Sequence, residues 1–226
     1  MTYKPVPKPR PKGPKHLTMD QWHLVLAESK SRGLMEHAMV AVLYECALRA
    51  GEIGQIRLDH CSLLHECRFY ALRGKGSTSG WMDISLMLAN LLSDWIKQRY
   101  PDKCLRRPSQ FVFPSFRVKG DRTFAGVTRQ WVHATIKDIC LTVGVPKTAA
   151  HPHAIKRSRG QHLFEEAESQ GLSLEMMLKI AAERLGHKNA WISFKHYMAS
   201  AGKGKQLADE VLWKAMGVSE RKLMRD

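Results

Sequence analysis

Apolar residues recur at helical spacing along most of the sequence from residue 18 onward, and no other feature restricts the fold as strongly. Thr18 and Gln21 open the first such segment with the spacing of a capping box, and the second segment stops at Gly51. The predicted helices span residues 18–33, 35–50, 86–100, 127–143, 154–168, 174–185 and 205–216. We therefore expect the chain to fold mainly as α-helices.

The helical pattern is interrupted between residues 61 and 85. Two short runs there, residues 68–72 and 81–84, are rich in residues that favour strands, and a Gly- and Ser-rich turn at residues 74–80 separates them. This arrangement predicts a β-hairpin, so the expected fold class is mainly α with a small antiparallel β-sheet (α+β). The run 111–113 is too short to assign.

A chain of 226 residues is long enough for one well-buried core, and we expect one domain. Residues 1–16 alternate Pro with Lys or Arg and hold almost nothing apolar, which predicts a basic arm or linker that stays extended. The predicted organisation is therefore an arm at residues 1–16 followed by a single domain at residues 17–226.

The charge balance is strongly basic, with 36 Lys and Arg against 21 Asp and Glu and a formal net charge of +15. Such an excess favours a polyanionic partner, either nucleic acid or an anionic membrane surface. No apolar run approaches the roughly 20 residues of a membrane span, and the start of the sequence lacks the apolar core of a signal peptide. We therefore expect a cytoplasmic protein with no membrane partner.

The cysteine content indicates reduced thiols, because five cysteines without a CxxC pair do not suit a disulfide framework. They are Cys46, Cys61, Cys67, Cys104 and Cys140. A zinc site is the alternative, and its four potential ligands within eight residues are His60, Cys61, His65 and Cys67. Their spacing matches none of the common zinc motifs, so we expect neither a metal ion nor a cofactor.

Three segments carry residues suited to cleaving a phosphodiester. They are CALRAGEIGQIRLDH, which holds Arg49, HPHAIKRSRGQHLFEEA, which holds His153, and RLGHKNAWISFKHYM, which holds His187 and Tyr197. In this order and at these intervals they resemble the boxes of the tyrosine recombinase or phage integrase family. Lys75, in the turn Arg-Gly-Lys-Gly-Ser, is similar to the β-hairpin lysine of that family. The resemblance covers residues 17–198 and implies the mainly helical catalytic domain of a recombinase.

Breaking a phosphodiester without a metal ion requires a nucleophile, positive charge around the phosphorane and a proton donor for the leaving alcohol. The resemblance implies that Tyr197 attacks the scissile phosphate to form a 3′-phosphotyrosine, so that neither metal nor ATP is needed. It implies further that Arg49 holds the non-bridging oxygens through its fork of donors and that Lys75 protonates the leaving 5′ oxygen. His153 and His187 would donate further hydrogen bonds or handle protons.

Two features depart from the family pattern. The second box has Lys156 where an arginine is expected, and lysine keeps the charge but loses the bidentate fork. Arg157 follows directly and is the alternative source of that fork. The step from His187 to Tyr197 is ten residues, which is one more than the family pattern. Both departures bear on how active such an enzyme would be.

The resemblance also implies partners. These are double-stranded DNA and a homotetramer on two DNA sites, with accessory DNA-bending proteins as further candidates. An amphipathic stripe in residues 205–216 is a candidate for a helix that docks on a neighbouring subunit, and packing on its own core is the alternative. Members of the family usually carry an additional N-terminal helical domain. Because only residues 1–16 precede the catalytic region, we expect either a fragment or a compact single-domain member.

Two other functions use the same residues. One is a DNA-binding regulator that has lost catalysis, and the other is a relative that relaxes supercoils, as type IB topoisomerases do, or resolves hairpin telomeres. Simpler interpretations of single residues also stay open. Arg49 would then be a helix C-terminal residue that interacts with the helix dipole, and Lys75 a solvated turn residue. The helix of His153 and Lys156 would be a basic surface that only touches phosphates.

Overall fold

The computed structural model describes residues 15–74, 77–115 and 125–186, where seven α-helices accompany a three-stranded sheet. The elements are α1 (Met19–Arg32), α2 (Leu34–Glu45), α3 (Ala50–Ile53), β1 (Cys61–Ser62), β2 (Arg68–Ala71), β3 (Gly80–Asp83), α4 (Leu86–Arg99), α5 (Arg129–Thr142), α6 (Pro152–Ser169) and α7 (Leu174–Leu185), with 3-10 turns at Leu58–His60 and Lys103–Leu105. The predicted fold class is confirmed. None of the described helices combines the length and apolar content needed to cross a membrane.

Local signals in the sequence account for most helix ends. The Thr18 side chain accepts a hydrogen bond from the Gln21 backbone N–H at 3.2 Å, and the Gln21 side chain accepts one from the Thr18 N–H at 3.1 Å, which confirms the predicted capping box. The predicted bounds of α1, α4, α5, α6 and α7 agree with the structure to within two residues. Residues 1–14 of the predicted arm and the predicted helix 205–216 lie outside the described residues.

The predicted helix 35–50 is wrong at its C-terminal end. Helix α2 stops at Glu45, and Ala47 then adopts φ 49°, so the chain leaves the helix axis. Arg49 consequently begins α3, where it occupies the N-cap position. The Glu52 carboxylate accepts the Arg49 backbone N–H at 2.7 Å, and this capping contact stabilises a new helix start in place of a continued helix.

The predicted hairpin is confirmed as an antiparallel pair of β2 and β3, with Arg68 opposite Asp83 and Ala71 opposite Gly80. The two-residue strand β1 adds to the other edge of β2 and was not predicted, because so short a strand carries no periodic signal. The unassigned run 111–113 connects to the rest through isolated antiparallel bridges, of Phe111 with Arg57 and of the adjoining Pro114 with Gly126. Val112 at its centre and Phe113 at its end are fully buried.

Helix α2 forms the centre of the hydrophobic core, because it packs against α1, α4 and α6. It is therefore apolar on several faces, and Met39, Val40 and Leu43 are all fully buried. The core continues through apolar side chains of the sheet and of α5. The turn that carries Arg49 begins where this rigid helix ends, so the core holds that turn in place.

The start of the domain is attached to α6. The Leu17 backbone N–H donates to Ser158 Oγ at 2.8 Å, and His162 Nε2 donates to the Leu17 carbonyl at 3.0 Å. The other ring nitrogen, His162 Nδ1, accepts from the Tyr44 hydroxyl at 2.8 Å, and Trp22 stacks on the Tyr44 ring at 3.9 Å between centroids. These contacts connect the segment before α1 to α6, the helix that also carries the second motif.

Replacing the imidazole at this attachment should make stability less dependent on pH. Burial lowers the pKa of His162 from its ordinary 6.5, so between the two values the unfolded chain binds a proton that the folded protein excludes. The wild type therefore loses stability through this group as pH falls below about 6.5. His162→Leu should lower the free energy of unfolding by roughly 1–3 kcal/mol near pH 7.5.

Urea unfolding of wild type and His162→Leu at pH 7.5 and 5.5 measures this effect. The difference between the two proteins should be larger at pH 7.5 than at pH 5.5, since the histidine favours the folded state only while it is neutral. Tyr44→Phe removes one hydrogen bond and keeps the imidazole, so it is the control. Equal differences at both pH values would contradict the assignment of a neutral His162 in the fold.

Candidate active site

Arg49 lies at the N-terminus of α3, where its side chain is bound by Glu52. Its Nη1 donates to Glu52 Oε1 at 3.1 Å, while its Nη2 donates to Ser77 Oγ at 3.2 Å. The Glu52 side chain is 7% exposed and that of Arg49 is 44% exposed. The carboxylate therefore orients the guanidinium, whose outer part faces solvent. This position at a helix start rules out the interpretation of Arg49 as a helix C-terminal residue.

Glu52 also connects Arg49 to the hairpin. Its Oε1 accepts the backbone N–H of Gly74 at 2.8 Å, so one buried carboxylate takes hydrogen bonds from both segments. Ser79 closes the base of the turn, because its hydroxyl accepts from the Arg73 N–H at 2.9 Å and donates to the Arg73 carbonyl at 3.2 Å. Gly74 directly precedes Lys75, and Lys75 itself lies outside the described residues.

Arg73, which the sequence did not single out, lies between the hairpin and two helix ends. Its Nη1 donates to the Leu185 carbonyl at 2.8 Å, and its Nη2 donates to the carbonyls of Cys46 at 3.0 Å and Arg184 at 3.1 Å. Burial lowers the pKa of Arg73 from its ordinary value. A second cation is therefore held close to Arg49 by backbone carbonyls.

Helix α6 contributes the second motif. His153 lies exposed in the first turn, and Lys156 follows one turn later with only 6% of its surface exposed. Lys156 Nζ donates to the Leu185 carbonyl at 3.3 Å, the same oxygen that Arg73 contacts. Burial first and then the charge of Arg73 lower the pKa of Lys156 to about 8, although Glu52 acts in the opposite direction.

Arg157 lies on a neighbouring part of the same helix. It is half-buried, and its charge adds to the effect of burial in lowering the pKa of His151, the N-cap residue of α6. Lys156 is the residue that the structure brings next to Arg73 and Glu52. The hypothesis that Arg157 substitutes for the missing arginine stays a prediction.

The end of α7 approaches the same place. Gly186 adopts the left-handed conformation at φ 65°, which terminates the helix, and its carbonyl accepts the Thr78 N–H from the hairpin turn at 3.3 Å. His187 follows directly, and both His187 and Tyr197 lie outside the described residues. The structure thus gathers Arg49, Lys156 and the chain neighbours of Lys75 and His187.

Within the described residues this arrangement sets three cations around one carboxylate. Arg49, Arg73 and Lys156 all act electrostatically on one another or on Glu52, so the cluster carries an excess of positive charge. An excess of cations suits a bound anion, and a phosphate accepts charge-assisted hydrogen bonds from such groups. The cluster at the junction of α3, the hairpin, α6 and α7 is therefore a candidate anion site.

Neither Glu52 nor Arg73 was predicted from the sequence as a site residue, and the sequence carries a signal for only one of them. Glu52 follows Arg49 by three residues at the start of a helix, the spacing at which an acid caps the helix, so its contact had a local signal. The carbonyl partners of Arg73 come from positions 46, 184 and 185. No sequence pattern links segments so far apart, and Arg73 was missed for that reason.

Three of the four candidate zinc ligands make local contacts at the edge of the sheet. The thiols of Cys61 and Cys67 point to the carbonyls of Arg57 at 3.8 Å and Leu63 at 3.7 Å. His60 Nδ1 accepts the Arg57 N–H at 3.2 Å. Across residues 15–74, 77–115 and 125–186, no three His, Cys, Asp or Glu side chains are grouped in a way that suits a metal ion.

The sequence matches the Phage integrase family over residues 15–203. It is 27% identical to the tyrosine recombinase XerD of Listeria innocua over 187 residues, which cover 80% of this chain and 57% of that protein. It is 26% identical to the XerD of Pseudomonas aeruginosa over 157 residues, which cover 70% and 47% respectively. The chain thus spans about half the length of these curated relatives.

Solved structures share the fold. The crystal structure of XerA recombinase superimposes with a TM-score of 0.63 at 16% identity, covering 91% of this chain and 66% of that one. The XerH site-specific recombinase bound to difH substrate in a pre-cleavage complex gives a TM-score of 0.60 at 16% identity, covering 88% and 54%. At this identity the likeness concerns the fold.

Removing the buried charge of Lys156 should stabilise the protein. At neutral pH the folded state holds a charged amine that burial and Arg73 disfavour, so Lys156→Met should raise the free energy of unfolding by roughly 1–4 kcal/mol. Between pH 8 and 10.5 the unfolded wild type still binds the proton that the folded protein has lost. Wild-type stability therefore rises with pH across this window, and the advantage of the variant shrinks.

Chemical denaturation of wild type and Lys156→Met at pH 7 and pH 9.5 tests this expectation. Lys97→Met is the matched control, because Lys97 is exposed and its ion pair with Asp94 lies at the surface, so its effect should stay within about 0.5 kcal/mol. If Lys156→Met is less stable than wild type at pH 7, the Lys156 amine stabilises the folded state, which contradicts the expectation that its burial is destabilising.

Proposed function

The chain belongs to the phage integrase family of tyrosine recombinases, and we propose that it is a site-specific DNA recombinase that cuts and rejoins strands through a covalent 3′-phosphotyrosine. The observation that supports this most directly is the cluster of three cations around the buried carboxylate of Glu52. One carboxylate does not balance three cations, and a scissile phosphate supplies a further negative charge. Residues 17–226 would form the catalytic domain, with residues 1–16 as a basic arm.

The positive excess of the cluster complements the charge that develops during the reaction. Attack by a tyrosine oxygen on a phosphodiester concentrates negative charge on the phosphorane. The exposed part of the Arg49 guanidinium would bind the non-bridging oxygens, and the buried ammonium of Lys156 would add a further positive charge. His153 and His187 would donate further hydrogen bonds or handle protons.

The covalent step balances without a metal ion or ATP. Tyr197 gives its hydroxyl proton to a base, for which His153 and His187 are the candidates, and forms a bond to phosphorus. The bond from phosphorus to the 5′ oxygen breaks, and Lys75 gives that oxygen its proton. The phosphotyrosine conserves the energy of the broken bond, so the 5′ hydroxyl of a second DNA end reverses the step. Exchange between two duplexes would then require a homotetramer on two sites, which accessory DNA-bending proteins would help to assemble.

The net charge of +15 fits double-stranded DNA as the partner. The protein would act on this DNA in the cytoplasm. Binding should weaken steeply with salt, because each Lys or Arg that contacts a phosphate releases a counterion.

Tyr197 should be required for a covalent adduct with DNA. Incubation with nicked suicide duplexes that carry candidate sites from the flanking genome should give a protein–DNA adduct that resists denaturation, and Tyr197→Phe should abolish it, because phenylalanine has no nucleophilic oxygen. Tyr100→Phe changes a described tyrosine whose hydroxyl donates to the Phe111 carbonyl, and it is the matched control. Specific binding by wild type without any adduct would favour a DNA-binding regulator.

The product of the reaction separates the remaining functions. Strand exchange between two sites identifies a recombinase, whereas relaxation of a supercoiled plasmid or closure of hairpin ends without exchange identifies a topoisomerase-like or telomere-resolving enzyme. The substrates are supercoiled plasmids and hairpin-ended duplexes that carry the same candidate sites.

The pH profile of cleavage should depend on the residue at position 156. With DNA below saturation, the rate follows the ionisation of the free enzyme, and the pKa of Lys156 near 8 predicts a decline above that pH. Lys156→Arg keeps its charge, so its rate should hold to a higher pH, whereas Lys156→Ala should be slower by about 100-fold or more at pH 7. Identical profiles for wild type and Lys156→Arg would contradict a role for the charge of Lys156.

A further inference from the structure

We propose that Arg73 is a positioning residue that holds the base of the hairpin turn, just before Lys75, against the end of α7, so that the proton donor reaches the leaving 5′ oxygen. This inference rests on the proposed function and extends it to a residue outside the motifs. Arg73 would touch neither DNA nor the reacting atoms. It would act through the backbone on either side of the site.

The first support is the set of atoms that Arg73 joins. Its guanidinium contacts the last carbonyls of α7, at Arg184 and Leu185, and the carbonyl of Cys46 where α2 ends. Helix ends leave such carbonyls without partners and negatively polarised, so a guanidinium binds them favourably. One side chain therefore fixes the hairpin to the ends of two helices.

The second support is the close approach of Arg73 to Gly186. A Cβ at position 186 would lie 2.5 Å from both Arg73 Cδ and Arg73 Nε, so the arginine occupies the space that any larger residue there would need. The turn makes its own backbone contact at the same point, from Thr78 N–H to the Gly186 carbonyl at 3.3 Å. The hairpin and the residue before His187 thus form one packed unit.

The third support is electrostatic. Arg73 is half-buried near Arg49 and Lys156, whose positive charges repel its own, and the negative charge of Glu52 favours it. An apolar side chain would pack beside Met82 without this repulsion and at a lower cost in stability. What the guanidinium adds is several fixed donors that join separate chain segments, which a single ammonium does not reproduce.

The link to proton transfer follows from position in the chain. One residue, Gly74, separates Arg73 from Lys75. The Gly74 N–H donates to Glu52, and the Ser79 hydroxyl binds both the N–H and the carbonyl of Arg73. The base of the turn is therefore defined on both sides. General acid catalysis depends on such placement, because the donor must be within hydrogen-bond reach of the leaving oxygen.

A change of leaving group distinguishes positioning of the proton donor from general support of the fold. Suicide duplexes are prepared with either the natural 5′ oxygen or a sulfur at the scissile bond. Sulfur leaves as a thiolate without a proton, so its departure does not need Lys75. Single-turnover formation of the covalent adduct is then measured for wild type, Arg73→Met, Arg73→Lys, Lys75→Ala and the control Arg106→Met.

Arg106→Met is a matched control, because Arg106 also donates to a backbone carbonyl, that of Tyr100 at 2.8 Å, but lies away from the site. It should cleave both duplexes at the wild-type rate. Arg73→Met should cleave the oxygen duplex about 100-fold more slowly, as Lys75→Ala does, and the sulfur duplex within about fivefold of wild type. Arg73→Lys should show the same pattern with a smaller defect.

Equal slowing of Arg73→Met on both duplexes would overturn the inference and leave Arg73 as a structural residue. If Arg73→Met does not fold, the ratio of rates on the two duplexes is read from Arg73→Lys, and a ratio equal to that of wild type overturns the inference. Absence of an adduct with wild type on either duplex would instead refute the proposed function, on which the inference rests.

Discussion

The buried carboxylate of Glu52 determines how the rest of the site is arranged. It accepts the backbone N–H and a guanidinium N–H of Arg49 and the backbone N–H of Gly74, so its hydrogen-bonding capacity is used by two segments that carry motif residues. It is also the anion that faces Arg73 and Lys156. Without it, three cations would share a partly desolvated space with no compensating charge.

The cation cluster is tolerated because the surrounding fold is rigid. Helix α2 is packed on several faces, and its end fixes the turn that leads to Arg49. On the far side, Ser158 and His162 hold the start of the domain against α6, the helix that carries Lys156. A well-packed scaffold of this kind compensates for local strain and repulsion at a functional site.

Lysine at position 156 gives the site a different chemistry from an arginine. The ammonium is a single point charge whose ionisation responds to burial, whereas a guanidinium stays charged and offers a planar fork. In this chain the guanidinium next to Lys156 is that of Arg73, and it donates to backbone carbonyls. Under the proposed function, charge toward a phosphate and organisation of the backbone are therefore divided between two side chains.

The sequence by itself determined the elements that depend on neighbouring residues. Periodicity and caps gave α1 and α4 to α7 to within two residues, and strand-forming runs gave the hairpin. The roles that the motifs assign to Arg49, His153 and Lys156 stay predictions. These signals act over a few residues, because helix caps, turns and amphipathic faces are local.

Only the tertiary structure decided how these elements meet. The predicted α2 ran too far because Glu52 captures the Arg49 N–H and starts a new helix, an outcome that periodicity does not encode. The short strand β1 forms only because β2 is beside it. The place of Arg73 depends on carbonyls up to 112 residues away in the chain. Such contacts arise from packing between segments, so they carry no signature within any one of them.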